Sequence, residues 1–220
     1  MKADIPAQYK RGFVNFLGCK IDLSKKTFIP RVETEFLVKK ALKEIGDNQP
    51  LLILDVFSGS GCIGIAILKN VKKSFVDLVD IDEREIKQIK INIKLNKISA
   101  ERYKVIKSDL FKRLKGRKYD YIFANPPYVA RNRIKEVQPS VLKYEPNRAL
   151  FGGEKGLFYI KKLLKSGRDF LKNNGIIYLE IDPLQKNDIE DILNSLGYKK
   201  FKFYKDQFKK YRWIKIKVEK

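Results

Sequence analysis

From Leu51 onward, short apolar runs alternate with stretches whose apolar residues recur at helical spacing, the pattern of parallel strands joined by helices. The run Leu51 to Val56 predicts a buried strand, Cys62 to Leu68 the opening of a helix, and Phe75 to Val79 the next strand. Ile86, Ile89 and Ile93 then repeat at helical intervals behind Asp82 and Glu83, acids suited to a first turn. Further strands are predicted at Tyr103 to Ile106 and Tyr119 to Ala124. Beyond an irregular stretch holding Pro139, Pro146, Gly152 and Gly153, the positions Leu157, Ile160, Leu163, Leu164, Phe170 and Leu171 predict one helix ending at Asn173-Asn174-Gly175. A fifth strand follows at Ile176 to Ile181. Phe201 to Tyr204 and Trp213 to Val218 alternate apolar residues with Lys, as in a hairpin with one wet face. Residues 1–50 hold a short β-like lead-in and a helix over Glu33 to Ile45, too little for a second domain. They are expected to pack on a single α/β unit covering residues 51–220.

Composition narrows the chemistry. The 220 residues are 44% apolar, enough to fill one core. The absence of His excludes Ser-His-Asp and Cys-His catalysis and any metal site built on imidazole. Cys19 and Cys62 are too few for a disulfide framework or a four-thiolate site, so no metal is expected. The longest weakly polar run, Leu51 to Leu68, is broken by Asp55 and by Ser and Gly residues, which rules it out as a bilayer span. The N-terminus lacks the apolar segment of a secretory signal. A cytoplasmic monomer without a membrane partner is the expectation.

The charge adds a second question. Lys and Arg number 48, of which 37 are Lys, against 26 acids, a formal net charge of +22. Clustered basic residues attract phosphate backbones, whereas Lys spread along the chain also fits a solvated basic surface. Between Lys199 and Lys220 ten basic residues face two acids and interleave with Phe201, Phe203, Tyr204, Phe208, Tyr211 and Trp213. This stripe is the candidate RNA or ribosome contact; the competing reading is a hairpin with its aromatics turned inward.

Residues Gly59-Ser60-Gly61-Cys62-Ile63-Gly64 match G-x-G-x-x-G between a strand and a helix, which points to an adenosine-type cofactor without choosing one. Asp55, at the end of the strand, argues for the choice. A carboxylate there would repel a pyrophosphate, so NAD is disfavoured, while S-adenosyl-L-methionine carries an ammonium and a sulfonium and no phosphate. Asp80 closes the second strand 19 residues beyond Gly61, the separation at which a carboxylate reaches ribose hydroxyls. Asp109 could accept from the adenine amino group with Leu110 packed on the ring; by itself Asp109 reads equally as a helix cap.

The fourth strand runs into Asn125-Pro126-Pro127-Tyr128, at the sheet edge where open α/β folds place their chemistry. The two prolines stiffen the loop. The Asn125 amide oxygen and the Pro126 carbonyl can then accept hydrogen bonds from one planar NH2 group, with Tyr128 stacked on its plane. Such a nitrogen is a poor nucleophile and too weak an acid for a side-chain base to deprotonate beforehand. Two acceptors can polarise it instead, strengthening as positive charge develops, which suits a chain without His.

These residues resemble a known family, the bacterial release factor glutamine methyltransferases, or HemK/PrmC proteins. The likeness covers roughly residues 15–216. It rests on Phe28-Ile29-Pro30-Arg31-Val32-Glu33-Thr34-Glu35, the loop around Gly59 and Gly61, Asn125 to Tyr128, Glu145-Pro146, and Ala149-Leu150-Phe151-Gly152-Gly153-Glu154-Lys155-Gly156-Leu157. The resemblance implies a class I S-adenosylmethionine-dependent methyltransferase (Rossmann-like) fold, with a seven-stranded, mostly parallel sheet and a C-terminal antiparallel hairpin. It implies methylation of a glutamine side-chain amide in the Gly-Gly-Gln segment of peptide chain release factors. Carried over by position, Phe57, Ser58, Gly59, Ser60, Gly61, Asp80, Leu110 and Asn125 would line the cofactor, and Asn125, Pro126, Pro127 and Tyr128 would hold the glutamine and do the chemistry. Phe57 stands where the family usually has Gly, Asp182 replaces a common Gly, and the family's N-terminal helical docking domain has no counterpart in these residues. Two alternatives stay open: methylation of an exocyclic base amino group in RNA or DNA, and a non-catalytic RNA- or ribosome-binding module.

Overall fold

The computed structural model describes residues 4–46 and 49–219. In chain order it contains α1 (Ala7–Arg11), β1 (Phe13–Phe16), β2 (Cys19–Asp22), α2 (Val32–Glu44), β3 (Leu51–Val56), α3 (Cys62–Asn70), β4 (Ser74–Asp80), α4 (Glu83–Leu95), β5 (Tyr103–Lys107) and β6 (Tyr119–Ala124). There follow α5 (Pro139–Tyr144), α6 (Asn147–Leu150), α7 (Phe158–Gly167), β7 (Leu171–Glu180), α8 (Lys186–Ser195), β8 (Lys200–Lys205) and β9 (Tyr211–Lys217).

Strands β3 to β9 form one seven-stranded sheet in the order β5-β4-β3-β6-β7-β9-β8. The first five strands of that order run parallel, and β9 pairs antiparallel with both β7 and β8. The parallel strands are covered on both faces, so they read as near-continuous apolar runs rather than alternating ones. One core layer sets α2, α3, α4 and the β1–β2 hairpin against the sheet; the other sets α7 and α8 against it. From β3 the chain winds outward to β4 and β5, then returns to place β6 on the other side of β3. The carboxyl ends of β3 and β6 therefore flank a topological switch point, where such sheets open a crevice.

In the C-terminal hairpin Trp213 is buried and stacks on Tyr204 with ring centroids 4.1 Å apart, Phe201, Phe203 and Tyr211 are half-buried, and Lys200, Lys202 and Lys205 are exposed; Phe208 in the connecting turn is exposed as well.

Two expectations are corrected. The helix predicted to run through Leu171 ends at Gly167; a 3-10 turn over Arg168–Phe170 follows, and Leu171 already belongs to β7. The apolar rhythm misleads because Phe170 stacks on Phe111 while Leu171 enters the sheet opposite Tyr119. The predicted stop at Asn173-Asn174-Gly175 is instead an irregularity inside β7, between the pairs Tyr119–Leu171 and Tyr121–Ile176, with Asn174 at φ +62°. Helix α8 carried no sequence expectation.

Candidate active site

At the end of β3 the chain turns sharply through Phe57, whose φ of +61° explains why glycine is usual there. Its ring lies edge-on to Tyr159, centroids 5.7 Å apart, so packing offsets the backbone strain. The next residue latches the loop to β4. Ser58 donates its N–H to Val79 O at 3.1 Å and its hydroxyl to Asp55 O at 2.7 Å, and the same hydroxyl accepts from Val79 N at 2.8 Å. Gly59 N donates to Asp80 Oδ2 at 2.9 Å, and Asp82 N donates to Asp80 Oδ1 at 3.0 Å. Gly61 at φ +81° starts α3, and Gly64 lets that helix settle on β4, since an added Cβ would lie 2.8 Å from Leu78 Cδ2.

A cavity of about 510 Å³ opens above this loop. Phe57, Ser58, Gly59, Ser60, Asp80, Asp109 and Leu110 line one part of it, and Asn125, Pro126, Pro127 and Tyr128 another. Asp55 and Gly61 do not line it. Asp55 lies fully buried behind the glycine loop, where Gly64 N donates to its Oδ2 at 2.9 Å and its Oδ1 has no partner among the described residues. Burial pushes its carboxyl up to about 7. Asp55 is thus set back from the cavity, and other acids face it.

Those acids are Asp80, Asp82, Asp109 and Glu85. Burial raises the Asp80 carboxyl against the two backbone donors that hold it. Burial, then the charges of Asp80 and Asp82, push Glu85 up to about 8. Glu85 is only 5% exposed, and its Oε2 has no partner among the described residues. Asp109 is held below the usual carboxylate range by Lys112, at 2.7 Å. Glu85 carried no expectation from the sequence; an acid one residue before Ile86 was the signal available.

Beside the glycine loop, the Asn125–Tyr128 loop leaves the end of β6, where Ala124 pairs with Val56. Asn125 Nδ2 donates to Thr34 Oγ1 at 3.1 Å, and Thr34 Oγ1 donates to Glu180 Oε2 at 2.7 Å. The Tyr128 hydroxyl donates to Glu180 Oε1 at 2.9 Å. Glu180, the last residue of β7, is 1% exposed, and burial pushes its carboxyl up to about 7 despite those two donors. Burial also drives the Tyr128 hydroxyl well above its ordinary value, so it stays a donor. Neither Thr34 nor Glu180 was singled out by type; the signal was an acid closing an otherwise apolar strand.

The segments that carry the family resemblance back this loop. Val129 N donates to Leu150 O at 2.9 Å and Gly152 N to Val129 O at 3.0 Å, while Gln185 Nε2 bridges Tyr128 O and Lys155 O at 2.9 and 3.1 Å. Gly152 and Gly156 lie so close to the Pro127 and Tyr128 carbonyls that no Cβ fits at either. Buried Glu145 accepts from Ile29 N at 3.1 Å and from Arg31 at 2.5 Å, fastening the Pro-Arg segment at the cavity mouth. Asp182 accepts from Leu184 N at 2.9 Å and pairs with Arg133 at 3.2 Å, a capping duty that glycine could not perform.

The residues present fit S-adenosylmethionine. A buried, unpartnered carboxylate oxygen on Glu85 and the neighbouring Asp80 suit a ligand with positive charge and ribose hydroxyls. A seven-stranded sheet with its terminal hairpin, a glycine loop tied to a strand-end acid, and an Asn-Pro-Pro-Tyr loop lining the same cavity define the class I S-adenosylmethionine-dependent methyltransferases. The Methyltransferase small domain family model matches residues 32–153. The TYW2 protein of M. jannaschii, solved in complex with AdoMet, superposes with a TM-score of 0.59 at 20% identity, over 94% of this chain and 85% of that one.

Sequence relatives sharpen the placement. The release factor glutamine methyltransferase of Clostridium botulinum is 35% identical over 218 residues, 98% of this chain and 77% of the relative. That of Thermodesulfovibrio yellowstonii is 36% identical over 203 residues, 91% of this chain and 72% of the relative. The chain belongs to the release factor glutamine methyltransferase family. No helix among its described residues is long and apolar enough to cross a membrane.

Proposed function

We propose that this enzyme methylates the side-chain amide nitrogen of the glutamine in the Gly-Gly-Gln segment of peptide chain release factors. The observation that carries the reading is a single cavity bounded by both the Phe57–Ser60 loop and the Asn125–Tyr128 loop. When bound, S-adenosylmethionine supplies an electrophilic methyl group on sulfur. Asp80 accepts from the ribose hydroxyls, Asp109 and Leu110 receive the adenine, and Glu85 faces the cofactor's positive charge. Asn125 Oδ1 and the Pro126 carbonyl accept the two N–H groups of the target amide, and the Tyr128 ring covers its plane.

With no His in the chain, these acceptors take the place of a general base. They bind more strongly as the nitrogen gains positive charge, so they favour the transition state over the ground state. The proton then leaves to water. The reading extends to residues 1–50 working as one unit with 51–220, to a cytoplasmic monomer, and to release factor as the protein partner; the printed names of the relatives support that partner. The test incubates the enzyme with labelled cofactor, purified release factor and total RNA. Label on the release factor glutamine is the expected result; label on RNA alone overturns the substrate and favours base methylation through the basic surface.

A further inference from the structure

We infer that Glu180 and Thr34 are positioning residues, a directional hydrogen-bond relay that sets which end of the Asn125 amide faces the substrate. The inference rests on the reading that Asn125 Oδ1 accepts from the target NH2, and it extends that reading to residues outside the Asn-Pro-Pro-Tyr loop.

The argument follows from donors and acceptors. Once ionised, above about pH 7, Glu180 has no hydrogen to give and can only accept. Its two oxygens take the Tyr128 hydroxyl at 2.9 Å and the Thr34 hydroxyl at 2.7 Å. Thr34 has one hydroxyl hydrogen, and it is committed to Glu180. Thr34 Oγ1 therefore meets Asn125 only as an acceptor, and the group 3.1 Å away must be the amide nitrogen. The oxygen of Asn125 is left for the cavity, which Asn125 lines.

The order matters because the two ends of a carboxamide are nearly the same shape. Turned over, Asn125 would offer NH2 to a substrate NH2, donor against donor, and its contribution to polarising the nitrogen would be lost. Nothing in the Asn125–Tyr128 loop itself forbids that rotation. The charge that Glu180 carries above about pH 7 forbids it, acting through Thr34. The same carboxylate fixes the Tyr128 hydroxyl, so one buried group aligns both the acceptor and the aromatic plane that meet the target. Thr34 lies at the start of α2 and Glu180 at the end of β7, so the relay draws on segments remote from the loop in sequence.

Thr34→Val keeps the side-chain shape but removes both hydrogen bonds. At pH 8.5, where Glu180 is ionised, the expected result is a fall in kcat of at least tenfold toward purified release factor, with cofactor affinity by calorimetry unchanged, and recovery of most of the loss in Thr34→Ser. Glu180→Gln, which gives Thr34 a donor to face, should lower kcat in the same way and covers the case of a Thr34→Val protein that does not fold. Combined with Asn125→Ala, neither change should add a further loss. Wild-type kcat in both variants, or equal damage in Thr34→Ser and Thr34→Val, overturns the relay. If Asn125→Ala retains turnover, the acceptor reading beneath it fails; if Asn125→Ala is inactive while Thr34→Val and Glu180→Gln are not, the relay alone fails.

Discussion

A Cβ on Gly156 would stand inside contact distance of the Tyr128 carbonyl oxygen and 2.5 Å from Gln185 Nε2, at a backbone φ of +72°. The glycine-rich segment and the Asn-Pro-Pro-Tyr loop are thus packed backbone to backbone. Gly156→Ala must push that loop off its position. Misplacement of about 1 Å can cost roughly a hundredfold in rate, so kcat is expected to fall by about that factor. Cofactor affinity should change little, because the Phe57–Asp80 side is untouched. Steady-state kinetics with calorimetry separates the two, and normal turnover would show that the loop tolerates displacement.

Asp80 holds two backbone donors, Gly59 N and Asp82 N, and lines the cavity between them. Asp80→Ala should weaken S-adenosylmethionine binding by about 1–3 kcal/mol, the range for loss of hydrogen bonds to a charged group. Titration calorimetry reads this directly. Unchanged affinity would remove Asp80 from the cofactor site.

Glu85→Gln preserves shape and removes the charge that Glu85 carries above about pH 8, so binding is compared at pH 9. Affinity for S-adenosylmethionine should drop about tenfold, some 1.4 kcal/mol, while affinity for methylthioadenosine, which carries neither ammonium nor sulfonium, should hold. An equal loss for both ligands would mean that Glu85 shapes the cavity without answering to the cofactor's charge.

Three buried acids make stability fall as pH rises. Asp55 and Glu180 are pushed up to about 7 and Glu85 up to about 8, each by burial first. Unfolded, such groups titrate near pH ~4, so between there and about pH 8 the native state holds protons that the unfolded chain has released. Their stabilisation is complete below the unfolded values and lost through the folded ones. The melting temperature of the ligand-free protein should therefore decline from pH 5.5 to pH 8.5, less steeply in Glu85→Gln. A flat or rising profile over that window would contradict the burial of these groups in ionisable form.

The strands and the site loops were legible because their signals are local. A run such as Leu51–Val56 is buried nearly throughout, and Asn125–Tyr128 announces its stiffness through two prolines. What escaped depends on partners far along the chain. Thr34 meets Glu180 across 146 positions, and no local pattern marks either as part of a chain of hydrogen bonds. Asp55 illustrates the opposite error: a strand-end acid beside a glycine loop was read as facing the ligand, whereas the fold aims it at the Gly64 N–H behind the loop. The end of α7 was missed for a third reason, since Phe170, partly buried, and Leu171, fully buried, are apolar neighbours and apolar character alone does not reveal that the chain has changed from turn to strand.

Asn92 divides its carboxamide between two segments. Its Oδ1 accepts from Asp22 N at 2.7 Å in β2, and its Nδ2 donates to Ser60 O at 2.9 Å in the glycine loop. Gln88 and Asn96 extend the seam, taking Lys25 N at 2.8 Å and Lys20 N at 3.0 Å. One row of amides along α4 and its C-cap therefore joins the β1–β2 hairpin to the glycine loop. Peeling the hairpin away would strip Asn92 Oδ1, the other end of the amide that holds Ser60 O, of its partner. A force or a partner acting at the hairpin thus reaches the glycine loop through Asn92 as well as through the shared core.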